Sequence, residues 1–273
     1  MTRHDDASAQ LVKRLRLEVV ALSATVFLAA CGPDADPQET SGLSESGARQ
    51  SGGAGSGATE SVPVGTMEDS ALADMRDADF PEPLIDPGQV QSGGPPPDGI
   101  PPIDEPTFEI ASEIDWLEPQ EPVLSLTVGD DTRAYPLQVM TWHEIVNDTV
   151  GGTPLAVTYC PLCNSGVAFE REVDGELLTF GTSGRLFQDN LVMYDRQSET
   201  LWPQLTGKAS IGVRTGDTLV AIPLGTVPWA DFAQANPEAK ELSKDTGFDR
   251  PYGQNPYVGY DQADGDLLFG LED

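Results

Sequence analysis

The sequence predicts a mainly β, α+β fold, in which antiparallel hairpins build a sheet or sandwich and two short helices interrupt them. Three observations predict it. Apolar, β-branched runs come in pairs between Val123 and Leu224, turn residues separate the members of each pair, and only two stretches carry helical spacing. "VLSLTV" and "TRAYPL" flank "GDD", and "GVAFERE" and "ELLTFGT" flank "VDG". "NLVMYD" and "TLWPQ" flank "RQSE", and "ASIGVR" and "LVAIPL" flank "TGDT". Each pair is expected to close as a hairpin. The first helix is expected over "LQVMTWHEIV", Leu137 to Val146, where Val139, Met140, His143 and Val146 recur at offsets of three or four. The second, "PWADFAQAN", has Pro228 in a first-turn position and stops before Pro237.

These elements lie in residues 103–273, long enough for one domain with its own core. Residues 31–102 are expected to be an acidic, Gly/Ser/Pro-rich disordered tether. From Gly32 to Asp79 there is no Phe, Trp or Tyr, so the segment has little apolar surface to bury. Gly/Ser statistics give such a tether a reach of roughly 45 Å. Within it, residues 80–102 carry Phe80, Leu84 and Ile85, which permit this part to wrap along the domain instead.

Residues 1–30 have the pattern of a lipoprotein signal peptide: a basic start, an apolar run from Val19 to Ala30 and the ending "LAAC". The run is shorter than the about 20 residues a membrane-spanning helix needs. "LAAC" resembles a bacterial lipobox, which implies cleavage before Cys31 and a lipid on its sulfur. The expected location is the cell membrane, on its extracytoplasmic side, whether periplasmic or cell-surface. The alternative is a soluble secreted chain in which Cys31 is incidental. With 45 acidic against 15 basic residues and a net charge of −30, the chain repels nucleic acid and anionic headgroups. No nucleic-acid partner is therefore expected, and the lipid on Cys31, rather than charge, supplies the membrane contact.

The chemistry concentrates in "YCPLCNSG", Tyr159 to Gly166, where Cys160 and Cys163 stand three positions apart. The pair sits in a tight turn between two strand-like runs, whereas a thioredoxin-type C-x-x-C opens a helix. Cys-Pro-Leu-Cys between strands resembles the knuckle of rubredoxin and zinc-ribbon sites, with Asn164 where such knuckles usually carry glycine. One use is a soft-metal site in which Cys160, Cys163 and His143 ligate zinc, or Cu(I) with Met140 or Met193 added. A second is thiol–disulfide exchange at Cys160 and Cys163; a bridge closing so small a ring gains little loop entropy and would be labile. A third is purely structural, with the Cys pair bracing a turn in a non-catalytic binding or scaffold domain and His143 satisfied by a backbone carbonyl.

A second polar cluster spans residues 181–204. Arg185, Asp195, Trp202 and Gln204, with Gly181 and Gly184 permitting a close backbone approach, could line a ligand groove of an uncharacterised enzyme. Ordinary hairpin ends with surface ion pairs would give the same residues. No G-x-S-x-G, phosphate-cradling loop or dinucleotide fingerprint occurs, which removes support for hydrolase and nucleotide chemistries.

Three long strings point to a family: "RAYPLQVMTWHEIVNDTVGGTPLAVTYCPLCNSGVAFERE", "LTFGTSGRLFQDNLVMYDRQSETLWPQLTGKASIG" and "TGFDRPYGQNPYVGYD". Together, from about Trp116 to Asp261, they resemble the bacterial domain-of-unknown-function family 3179. The resemblance implies an exported protein or lipoprotein and makes His143, Cys160 and Cys163 motif positions, but it assigns no reaction. Many members continue past the "NPYVGYD" region into a segment echoing "AYPL…VNDTVGG". This sequence ends at "LLFGLED", which fits either a C-terminally short form of the family or an early stop.

Overall fold

The computed structural model describes residues 69–258 and 260. The expected signal peptide, Cys31 and most of the expected tether lie outside these residues. Among them, no helix is long and apolar enough to cross a membrane. The fold is mainly β, as the sequence predicts. Its strands in the first half are β1 (Val90–Ser92), β2 (Phe108–Ile110), β3 (Pro122–Val128), β4 (Asp131–Pro136), β5 (Ile145–Val150), β6 (Thr153–Cys160) and β7 (Ser165–Glu170), with helix α1 (Leu137–His143) between β4 and β5. The second half holds β8 (Glu172–Val173), β9 (Glu176–Leu177), β10 (Phe180–Phe187), β11 (Asn190–Asp195), β12 (Leu201–Pro203), β13 (Ala221–Ile222), β14 (Gly225–Pro228), helix α2 (Trp229–Ala235) and β15 (Lys240–Leu242).

The sheet β13-β7-β6-β5 lies between two others, β1-β10-β11-β12 and β14-β3-β4-β15-β2. Strand alternation puts it there. On β6, Leu155, Val157 and Tyr159 pack with Leu124 and Leu126 of β3. Their neighbours Ala156 and Cys160 turn the other way, onto Phe180, Met193 and Trp202 of the β10–β12 sheet. A strand buried on both faces shows no alternation of apolar and polar residues. For that reason β5, where Ile145 to Asp148 are all buried, does not look like a strand in the sequence. Asn147 is satisfied inside by the backbone N–H of Phe180 at 3.0 Å and its carbonyl at 2.8 Å. Asp148 accepts from Arg133 Nη1 at 2.5 Å and from the Tyr135 hydroxyl at 2.6 Å.

Two expected hairpins form as written, β3–β4 and β11–β12. Two do not. "GVAFERE" and "ELLTFGT" share only the small β8–β9 ribbon, because β7 pairs with β6 and β10 with β11. "ASIGVR" and "LVAIPL" do not pair as strands: the isolated bridge Lys208–Thr218 lies just before each run, and Ala221–Ile222 joins the edge of β7. The hairpins missed are β5–β6, turned by Gly151 and Gly152, and β10–β11, turned by Gln188 and Asp189, all four at positive φ. Helix α1 also stops at His143 rather than Val146, since Glu144 takes φ 60°, ψ −30° and starts the chain into β5.

The tether boundary is corrected as well. Residues 70–102 wrap the β10–β12 sheet: Ala71 and Val90 are buried with Val192 and Tyr194, and β1 pairs with β10. Asp98 receives the Tyr194 hydroxyl at 2.8 Å and the Thr182 N–H at 3.2 Å. Gly184 lets this segment in. Its φ is +70°, and a Cβ there would stand 1.9 Å from the Pro95 carbonyl oxygen. The close approach that Gly181 and Gly184 permit is thus used by the chain's own strap, not by a ligand.

Candidate dithiol site

Strand β6 ends at Cys160, a single 3₁₀ turn carries Pro161 to Cys163, and Asn164 reverses the chain at φ 46°, ψ 44°. Ser165 then faces Cys160 across the start of β7. A left-handed residue is needed to close so short a turn, and asparagine tolerates that conformation better than most side chains. The Tyr159 hydroxyl braces it by donating to Asn164 Oδ1 at 3.0 Å. Both thiols are free, Cys160 buried at 1% exposure and Cys163 open to solvent.

Around the Cys163 sulfur the structure places hydrogen-bond donors. Asn190 Nδ2 donates to it at 3.1 Å, and the Ser165 hydroxyl lies 3.1 Å away. Gln204 sets both: its Oε1 accepts from Asn190 at 2.8 Å and stands 3.0 Å from Ser165 Oγ. Its Nε2 is fixed in turn on Thr158 Oγ1 and the Ser165 carbonyl, each at 3.0 Å. The Cys160 thiol is the largest influence on Cys163. By hydrogen bonding to its neighbour it favours the thiolate there, and with Ser165 and Asn190 it outweighs partial burial to bring Cys163 down to about 5. The same interaction, with burial, pushes Cys160 far up. Of the two, the exposed Cys163 is thus the one favoured to ionise and the buried Cys160 the one disfavoured.

Glu144 is the residue that sequence reasoning misses. It is 6% exposed, and its Oε1 accepts from the Tyr257 hydroxyl at 3.1 Å. Burial lifts its carboxyl to about 7; the Tyr257 hydrogen bond works the other way, and the negative charge at Cys163 adds to the rise. It lines a cavity of about 110 Å³ with Leu162, Leu191, Arg185 and Tyr257. Its positive φ is a conformation that costs a non-glycine residue about 1–3 kcal/mol and that gathers at functional positions. The only signal in the sequence is its place in "WHE". Trp142, His143 and Glu144 in succession clasp the segment that follows β15: Trp142 Nε1 donates to the Gln254 carbonyl at 3.1 Å, His143 Nε2 pairs with the Tyr252 hydroxyl at 2.6 Å, and Glu144 takes Tyr257. Beside the turn this segment leaves a groove of about 330 Å³ lined by Tyr159, Pro161, Asn164, Tyr257 and Tyr260.

The expected soft-metal triad is not assembled. Both nitrogens of His143 are engaged elsewhere, Nδ1 by the Pro101 carbonyl at 2.7 Å and Nε2 by Tyr252, so the ring has no lone pair to turn to a sulfur. Met140 packs in the core beside Leu124, away from the cluster that holds Cys160, and among the described residues no three His, Cys, Asp or Glu groups are arranged to hold a metal ion. His143 therefore does not join the two sulfurs as a third ligand, whereas Met193 packs in the same cluster as Cys160. The expected groove over residues 181–204 is likewise not formed by its named residues. Asp195 and Trp202 are fully buried, joined by Trp202 Nε1 donating to Asp195 Oδ2 at 2.9 Å, and the carboxylate also receives the Ser198 N–H and hydroxyl to close the turn into β12. Gln204 belongs to the dithiol site, and Arg185 faces the Glu144 cavity while donating to the Leu72 carbonyl.

A family model described as "Protein of unknown function (DUF3179)" matches residues 97–273, which include the strands and turns that build this site. No curated protein and no solved structure matches the chain.

Proposed function

The chain belongs to the DUF3179 family, and on that premise we propose that its domain is a thiol–disulfide exchanger whose attacking atom is the Cys163 sulfur and whose resolving thiol is Cys160. One observation carries the reading: an exposed sulfur that accepts from Asn190 Nδ2 and lies 3.1 Å from the Ser165 hydroxyl, with a second, buried thiol in the same turn. A thiolate is the reactive form of cysteine, and a low pKa keeps it populated at neutral and mildly acidic pH. The groove beside the turn gives an extended polypeptide a place to lie while its own sulfur reaches Cys163. A protein disulfide outside the cytoplasm is the partner chemistry that fits.

The test is the pH dependence of alkylation at Cys163, followed by peptide mass mapping. Because the folded pKa is depressed, the rate is expected to be at its plateau at pH 7 and to fall only as pH drops through about 5. An ordinary cysteine would lose rate below about 8.5. A profile with that ordinary midpoint would remove the basis of the reading.

The site is proposed to work on the extracytoplasmic face of the cell membrane, held by lipid on Cys31. The "LAAC" ending supports this. Cys31→Ala is expected to move the protein from the membrane pellet to the soluble fraction; a variant that still pellets would count against the anchor.

A further inference from the structure

Two buried side-chain amides belong to the hydrogen-bond network of the Cys163 sulfur, and their backbone partners leave each of them one orientation. The Leu205 N–H donates to Asn190 Oδ1 at 3.2 Å, so Asn190 Nδ2 faces the sulfur and Gln204. The Ser165 carbonyl only accepts, so Gln204 turns Nε2 to it and leaves Oε1 for Asn190 and the Ser165 hydroxyl. Thr158 agrees with this direction, since its own hydrogen goes to the Val167 carbonyl at 2.7 Å and its oxygen accepts from Gln204. With Gln204 fully buried and Asn190 5% exposed, water does not compensate for a reversed amide.

Ser165, on β7, has a choice. Its hydroxyl carries one hydrogen and has two acceptors for it, Gln204 Oε1 at 3.0 Å and the Cys163 sulfur at 3.1 Å. Against a thiol the amide oxygen wins, because sulfur is a weak acceptor. The Cys163 S–H then points at Ser165 Oγ, and the hydrogens run in one direction from sulfur to hydroxyl to amide. Against a thiolate the order reverses, since a hydrogen bond to a charged acceptor is roughly twice as strong as a neutral one. Gln204 Oε1 still holds Asn190 when the hydroxyl leaves it, so no buried acceptor is stranded. The ionisable groups that act on Cys163 or feel its charge are Cys160 in the same turn, Tyr159 on β6, Glu144 after α1, and Tyr260. The last three are acids, whose negative charge opposes a neighbouring thiolate, so stabilisation of the anion falls to uncharged donors.

Resting on the dithiol exchange proposed above, we infer that Ser165 is a catalytic residue of that exchange, a hydroxyl that rests on Gln204 Oε1 while Cys163 holds its proton and turns onto the sulfur when the proton leaves. The proton goes to solvent, to which Cys163 is open. The Cys163 thiolate then attacks a partner disulfide R–S–S–R. A Cys163–S–S–R bond forms, the partner's S–S bond breaks, and R–S⁻ leaves with the electron pair. The Cys163 sulfur is now neutral, and the hydroxyl returns to Gln204. Ser165 thus follows the charge on the reacting atom, while Asn190, fixed by Leu205, donates to it throughout.

The experiment alkylates the reduced full chain, carrying Cys31→Ala, with iodoacetamide across a pH series and quantifies the modified Cys163 peptide by mass. The parent midpoint is expected at about 5. In Ser165→Ala it is expected to rise by about one pH unit, a tenfold loss of thiolate stability. Ser165→Thr, which keeps a hydroxyl, is expected to bring it back. The infrared S–H stretch reads the resting orientation. Below the midpoint, the band that vanishes as Cys163 ionises is expected to move to higher frequency in Ser165→Ala, because the thiol loses the oxygen it donates to. An unshifted midpoint in Ser165→Ala beside a parent midpoint near 5 overturns the inference and leaves the dithiol reading standing. A shifted midpoint that Ser165→Thr does not restore, or an S–H band that stays in place, overturns the turning hydroxyl. A parent midpoint near the ordinary 8.5 removes the dithiol reading itself.

Discussion

In a Cys31→Ala background, Cys160→Ser is expected to capture a disulfide partner and fail to let it go, whereas Cys163→Ser is expected not to react at all. The asymmetry follows from burial and hydrogen bonding. With Cys163 removed, the other thiol of the turn is 1% exposed and held far from ionisation, so alkylation there at pH 7 should fall by about a hundredfold or more. With Cys160 removed, Cys163 keeps Asn190 as a donor and Ser165 as a neighbour but loses the largest stabiliser of its thiolate. Its pKa should rise, the first exchange should slow by less than the loss in Cys163→Ser, and the mixed disulfide should accumulate because no second thiol resolves it. Intact-mass measurement after glutathione disulfide treatment reads both outcomes. If Cys160→Ser formed no adduct and Cys163→Ser formed one, the roles of the two sulfurs would be reversed.

Asp148→Ala is expected to cost about 3–5 kcal/mol of stability, the range found when one member of a buried ion pair is removed. Asp148 lies between two sheets, with 4% of its side chain exposed, against Arg133 with 9%. The truncation leaves the guanidinium in low dielectric with Asp131 alone, and leaves the buried Tyr135 hydroxyl without its acceptor at 2.6 Å. Asp131 cannot replace it, being half of an outer pair that also serves Lys240 and the Gly151 N–H. Replacing Arg133 and Asp148 together with apolar residues should recover much of the loss, since the cost lies in the uncompensated charge. The urea midpoint measures both. A shift below about 1 kcal/mol for the single variant would mean that water reaches the pair.

Where the amino-acid pattern is local, it is legible. The β3–β4 hairpin is visible because "GDD" breaks two apolar runs that alternate in step, and the dithiol turn is visible because Pro161 and Asn164 leave the chain few ways to continue. The end of α1 is not visible. Val146 keeps the helical offset from His143, but it belongs to β5, where the strand partner decides the conformation. Asn147 and Asp148 resemble loop residues for the same reason, as their acceptors and donors come from Phe180, Arg133 and Tyr135 on other strands.

The candidate site divides along the same line. Two sulfurs at a strand-to-strand turn are fixed by four consecutive residues, and so is their nearness to each other. What distinguishes them is not. Asn190 and Gln204 come from the β10–β12 sheet, Glu144 comes from the end of α1, and Tyr257 from a segment that α1 holds in place. Hydrogen-bond donors act over about 3 Å and burial depends on everything packed around an atom, so neither is written in spacing along the chain. Sequence alone determined that a β-rich domain would carry a paired-cysteine turn. Only packing decided that one sulfur is exposed beside the Asn190 amide, that the other is buried, and that the histidine bonds to neither.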